Sequence, residues 1–176
     1  MTGKEFDPFA NRLARDIRNE LSSAFVQALE EADTAPFEDV AATYMKLDLA
    51  PDYRDYIEKR TEKYQEVFSG IQKNRIDDPY AQTMVLWNKG LLFEVHERLE
   101  AFWKEEPAET QQAIKGIIKA VAAHEHMQYG HADAALRLAR KAAASLRSHG
   151  SAVPASFKIE VVLKSLENLT SISPRV

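Results

Sequence analysis

The feature that most constrains the fold is a run of apolar residues at every fourth position near the start of the chain. The run consists of Phe9, Leu13, Ile17, Leu21, Phe25 and Leu29. This spacing places side chains on one face of an α-helix, whereas a half-buried strand would show alternation at every second position. Helical periodicity returns in most later segments, and strand-like alternation is missing. We therefore predict an all-α fold, a single bundle of about six to eight helices.

Turn and capping residues divide the chain into three parts of one predicted domain, which spans residues 1–176. The parts are an N-terminal helical layer at 1–78, a motif core at 79–150, and a C-terminal helix and tail at 151–176. The linker "NRIDDPY" separates the first two, since Asp78 can cap a helix and Pro79 suits its first position. Asp7 and Pro8 predict the start of the first helix in the same way. We expect the N-terminal layer to pack on the motif core.

Small residues predict a tight pair of helices around Gly130. One helix is predicted for 107–129 and the next for 132–147. The first carries a ridge formed by Gly116, Ala120 and Ala123, and the second carries several alanines. Small side chains let two helix backbones approach closely. We therefore predict an antiparallel pair joined at Gly130.

Composition excludes several classes of function. The net charge of −4 argues against a nucleic-acid partner, because such proteins usually carry a basic excess. The chain has no cysteine, which excludes thiol catalysis, disulfides and cysteine-ligated metals. No run of about 18 apolar residues occurs, so no membrane partner is expected. The charged start shows no secretory signal, and we expect a cytoplasmic location.

A short stretch, "LLFEVHERLEAFWKEE" at 91–106, carries the strongest candidate site. We predict one helix over 91–104, on which His96, Glu100 and Trp103 lie one turn apart beside the apolar stripe. Phe93 falls on the same side, whereas Glu94 lies nearly opposite His96. An imidazole, a carboxylate and an indole are thus predicted to face a neighbouring helix, with Glu97 in water.

The motif is similar to that of an all-helical family known as domain of unknown function 309. The family's signature is His, three residues, Glu, two residues and Trp, often preceded by Asn-x-Gly and Phe-Glu. The matching residues are Asn88, Gly90, Phe93, Glu94, His96, Glu100 and Trp103. The resemblance covers about residues 85–150, and it implies a site at the motif but no established activity.

The second segment of the resemblance departs from the family pattern at two positions. Lys115 and Lys119 stand where the family usually has Gln, whereas Gly116 matches. We interpret both lysines as solvent-facing. Either His124 or His126 matches the family's histidine at the end of this helix, and the sequence leaves that choice open.

Three functions fit these residues. The first is a pocket for a small ligand or a protein partner, lined by His96, Glu100, Trp103, Glu94, Phe93 and His124. The second is a metal-dependent or acid–base enzyme, hydrolase-like, with His96 and Glu100 as catalytic candidates. The third is a purely structural interaction domain, in which the His96–Glu100 pair only satisfies polar groups between helices.

No cofactor is predicted, and a divalent metal is retained as an alternative. "HERLE" is not the HExxH pattern of zinc proteases, so a third ligand would have to come from another helix. His124 is that candidate, beside His96 and Glu100. The apolar stripe of the first helix also leads us to expect a weak homodimer through the N-terminal region.

Overall fold

The structure is a computed structural model that describes residues 6–171, and these residues form two compact units. The first unit ends at Ile76 and the second begins at Asp77. Over the described range the chain forms eight α-helices and two short 3-10 helices without a strand, so the all-α prediction is confirmed. That both units make one domain, with the N-terminal layer on the motif core, stays a prediction. No helix between residues 6 and 171 is long and apolar enough to cross a membrane.

The first unit consists of three helices. They are α1 at Arg12–Glu31, α2 at Ala35–Met45 and α3 at Pro51–Lys73. An aromatic cluster lies between them, in which the Phe25 and Tyr64 rings stack at 4.2 Å and Phe37 meets the Tyr64 ring edge-on at 5.5 Å. All three rings are fully buried, so they form the centre of this unit's core.

The predicted start of the first helix at Asp7 and Pro8 is wrong. Helix α1 begins at Arg12, because the Asn11 side chain accepts hydrogen bonds from the backbone N–H groups of Leu13 and Ala14. Asp7 instead caps an earlier turn through the N–H of Phe9, at 2.8 Å. Leu13 is consequently 40% exposed, while the apolar residues from Ile17 onward are buried as predicted.

The second unit contains the motif. Its helices are α4 at Pro79–Asn88, α5 at Leu92–Glu100, α6 at Ala108–Gln128, α7 at Ala132–His149 and α8 at Ile159–Ser171, with 3-10 helices at Trp103–Glu105 and Gly150–Ala152. As predicted, the Asp78 carboxylate caps α4. Gly90 adopts a left-handed conformation (φ 69°) between α4 and α5. Val95 and Leu99 bury the apolar side of α5 completely.

Helices α6 and α7 form the predicted tight antiparallel pair. A Cβ atom added at Gly116 would lie 2.9 Å from Leu146 Cδ2, which is closer than real Cβ atoms come to a neighbour. Gly130 joins the two helices with φ +79°, a conformation that glycine adopts without strain. Ala120 and Ala139 are buried along the same contact. Helix α5 packs against α6 of this pair.

Candidate functional site

The motif helix is shorter than the sequence predicted. Helix α5 ends at Glu100, and Trp103 begins the separate 3-10 helix. The helix ends where Phe102 leaves helical geometry (φ −135°, ψ −10°), and Pro107 acts only on the residue before it, Glu106, which is extended (φ −76°, ψ 154°). Trp103 nevertheless stays next to Glu100, because its indole Nε1 donates a hydrogen bond to Glu100 Oε2 at 3.0 Å.

His96 lies between two carboxylates. Its Nδ1 is 3.3 Å from Glu97 Oε1, and its Nε2 is 3.7 Å from Glu100 Oε1. The Nδ1 contact has ion-pair distance but poor hydrogen-bond alignment. The prediction that Glu97 faces water is wrong, because its flexible side chain turns toward the imidazole and is only 24% exposed. We call His96, Glu97, Glu100 and Trp103 the open face of α5.

Negative charge around His96 favours its protonated form. The Glu97 carboxylate raises the pKa of His96 from its usual value, and burial opposes this rise. Glu100 and Glu125 raise the pKa further through their charge. Three carboxylates thus act on one imidazole, so negative charge surrounds His96.

Lys115 completes the open face from α6. Its Nζ lies 5.4 Å from the centre of the Trp103 ring, within cation–π range. The side chain is exposed, as the sequence predicted, but it covers the indole rather than extending freely into water. Phe93 is buried at the other side of the imidazole, with ring centres 5.5 Å apart. Trp103 is only partly exposed, and Glu100 is 43% exposed, so solvent reaches the network.

Glu94 does not join the open face. It is fully buried on the opposite side of α5, where Arg98 is 9% exposed and lies one turn further along. Arg98 donates two hydrogen bonds to Gln82 Oε1 of α4, from Nε at 3.1 Å and from Nη2 at 3.0 Å. We call Gln82, Glu94 and Arg98 the sealed cluster. This cluster was not predicted from the sequence, although the i, i+4 spacing of Glu94 and Arg98 was a signal for a paired face.

His124 lies with a different set of residues. Its ring meets Trp87 edge-on at 5.7 Å, and its Nε2 is 3.0 Å from Ser165 Oγ on α8. The Ser165 hydroxyl donates to the Val162 carbonyl at 2.7 Å, so His124 Nε2 must carry the hydrogen and donate to Oγ. Burial lowers the pKa of His124, which agrees with a neutral ring. In this tautomer His124 cannot act as the base for Ser165.

The three metal candidates are not gathered into one site. Within residues 6–171, no group of three or more His, Asp or Glu side chains is arranged to hold a metal ion. His96 and Glu100 are adjacent, but His124 is engaged with Trp87 and Ser165. His126 faces His131 instead, because residues two positions apart on a helix point in nearly opposite directions.

Comparison with known proteins addresses the motif directly. Residues 80–138 match the family model of domain of unknown function 309 (DUF309). The resemblance is thus confirmed over a segment that includes α4, α5, α6 and the start of α7. The open face and the sealed cluster both lie inside this DUF309 segment. No curated protein and no solved structure matches the chain.

Proposed function

We propose that the protein is a ligand-binding helical module whose open face of α5 binds the positively charged group of a small organic cation. The observation that carries the proposal is the arrangement around Trp103. The Glu100 carboxylate accepts a hydrogen bond from the indole N–H, and the Lys115 ammonium group lies over the indole ring. An indole face next to carboxylates is a recurrent way for proteins to bind amines.

Charge supports a cationic ligand over an anionic one. Glu97, Glu100 and Glu125 all act on His96, so three carboxylates outnumber the two cations at this surface, which are the protonated imidazole and Lys115. A surface with an excess of one charge attracts ligands of the opposite charge and repels those of the same charge. An amine or guanidinium is therefore the group that this surface accommodates best.

The position of Lys115 supports a placement for such a ligand. Its ammonium occupies the face of Trp103 that a ligand cation would use. The side chain is exposed and flexible, so moving it away costs little, because an exposed cation–π contact contributes only about 0.5–1 kcal/mol. We propose that a ligand cation displaces Lys115 and gains Glu100 as a second contact.

The catalytic alternatives receive less support from the geometry. A metal-dependent reaction needs about three protein ligands around the ion, and the described residues supply no such group. An acid–base reaction would use the same His96–Glu100 pair. Only turnover of a substrate would therefore distinguish it from ligand binding. The binding proposal requires no group beyond those already in contact.

Tryptophan fluorescence can test the proposal, because the chain has two tryptophans and one of them is Trp103. In a Trp87→Phe background, Trp103 becomes the reporter. Butylammonium and butylguanidinium should produce a saturable change, while butyrate at equal ionic strength should not. Glu100→Gln should weaken binding by several-fold, since a charge-assisted contact is lost.

Lysine variants provide the matched control. Lys115→Ala frees the indole face and should tighten binding by about two- to fivefold, the equivalent of one exposed cation–π contact. Lys119→Ala removes an exposed lysine one turn further along α6 and should leave the affinity unchanged. Equal titrations for cations and butyrate, or no effect of Glu100→Gln, would refute the proposal.

A further inference from the structure

Two histidines face each other at the turn between α6 and α7. His126 Nδ1 lies 3.2 Å from His131 Nδ1, with ring centres 5.4 Å apart and ring planes inclined by 51°. One ring hydrogen serves this contact, since a neutral imidazole has one donor and one acceptor nitrogen. Both side chains are accessible to solvent.

The backbone fixes this pair in place. The N–H of His131 donates to the carbonyl of His126 at 2.8 Å, and the N–H of Gly130 donates to that of Met127 at 3.2 Å. With Gly130 at φ +79°, these bonds form a Schellman motif, whose first and last residues usually make a hydrophobic contact. Here two imidazoles occupy those positions. These hydrogen bonds therefore hold the backbones of His126 and His131 together without a ligand.

We propose that His126 and His131 chelate a divalent transition-metal ion of the Zn²⁺ class through their Nδ1 atoms. Zinc–nitrogen bonds are about 2.0–2.1 Å long. Two nitrogens 3.2 Å apart would then subtend about 100° at the ion, between octahedral and tetrahedral angles. The ion replaces the shared hydrogen, and the ring that carried this hydrogen binds as its Nε2–H tautomer. Water fills the remaining positions.

The surroundings suggest a site that exchanges its ion. Burial lowers the pKa of His126, with His131 and Arg137 contributing through their charge, so the neutral form that binds metals is favoured. The Arg137 charge also repels a cation, and two protein ligands are fewer than the four typical of a structural zinc site. We therefore assign a readily reversible site, separate from the open face of α5 and independent of the function proposed for it.

Calorimetric titration of the full chain with Zn²⁺ alone tests the inference. His126→Ala and His131→Ala should each weaken binding at least about tenfold, since chelation needs both rings. His131→Gln serves as a second variant with a milder change of shape. Arg137→Gln should tighten binding by removing the repelling charge. Mg²⁺ should not compete, because it prefers oxygen ligands.

His149→Ala supplies the control for adventitious binding. His149 Nδ1 pairs with Glu109 Oε2 at 2.8 Å, so it offers a surface histidine beside a carboxylate but no second imidazole. This variant should bind Zn²⁺ as the unmodified protein does. Unchanged affinity in the folded His126 and His131 variants, or an equal loss in His149→Ala, would overturn the inference, as would the absence of Zn²⁺ binding.

Discussion

Helix α5 presents two polar clusters on opposite sides, and they differ in their access to water. In the sealed cluster, Glu94 is fully buried and Arg98 is 9% exposed. In the open face, the side chains of His96 and Glu100 are 29% and 43% exposed. Each cluster combines at least one carboxylate with a basic side chain, so exposure is the property that separates them most.

We expect the sealed cluster to stabilise the fold and, under the proposed function, the open face to bind the ligand. A buried charge that loses its partner leaves the other group without compensation, whereas an exposed group recovers its hydrogen bonds from water. The paired Arg98–Gln82 hydrogen bonds join α5 to α4, and they cannot be exchanged without exposing the core. The open face can exchange its contacts at low cost, as binding requires.

The largest effect is expected from removing the buried cation. Arg98→Leu should lower the free energy of unfolding by about 3–5 kcal/mol, because it leaves the fully buried Glu94 carboxyl group without the guanidinium one turn away. The double variant Glu94→Leu/Arg98→Leu should recover much of the loss. Guanidinium unfolding of both variants measures this. A loss below about 1 kcal/mol for Arg98→Leu would show that the cluster is not the brace we describe.

A smaller loss of stability is expected from a substitution on the α4 side of the sealed cluster. Gln82→Leu removes the acceptor of two Arg98 hydrogen bonds and should lower the free energy of unfolding by about 1–3 kcal/mol. Gln112→Leu, at an exposed position on α6, is the control and should stay within about 0.5 kcal/mol of the unmodified protein. Similar values for the two variants would remove the distinction between buried and exposed positions.

The open face should contribute much less to stability. Glu100→Gln and His96→Ala should each change the free energy of unfolding by at most about 1 kcal/mol, as for a surface ion pair. Complete burial of the motif would instead have predicted losses of about 1–3 kcal/mol. Thermal and urea unfolding distinguish these outcomes. Losses as large as that of Arg98→Leu would make the motif a structural brace and the binding proposal untenable.

The smallest expected effect is the pH dependence of stability that arises from His96. The pKa of His96 in the folded chain lies above its usual 6.5, and so protonation stabilises the fold. This stability is fully present below pH 6.5 and is lost as pH rises through the folded-state pKa. NMR titration should show Glu97→Gln lowering this pKa more than Glu100→Gln does, because the Glu97 contact is its main cause. The reverse order would mean that Glu100 controls the imidazole.

The pKa of His124 is shifted in the opposite direction to that of His96, which the same titration can show. Burial lowers its pKa below 6.5, so its neutral form is the stabilising one. The corresponding stability is present above pH 6.5 and is lost as pH falls through the folded-state pKa. Its ring signals should therefore titrate at lower pH than those of His96. Two histidines that titrate together would contradict both assignments.

Contacts between residues up to one turn apart could be predicted from the sequence. The helical periodicity, the Asp78 cap and the His96–Glu100 pair all depend on geometry within a single helix, which is the same in every protein. The small-residue ridge around Gly116 also predicted a close helix neighbour, because only a small residue permits such an approach.

Contacts that depend on another element were decided by the tertiary structure. The sequence placed Glu94 and Arg98 on one side of a helix, but only the packing of α4 brought Gln82 to Arg98 and closed that side to water. In the same way, the position of Trp103 depends on where the chain leaves α5 ahead of Pro107. Helical spacing predicts which residues share a face of one helix. Whether that face is sealed or open depends on which neighbour covers it, and packing of distant segments determines this.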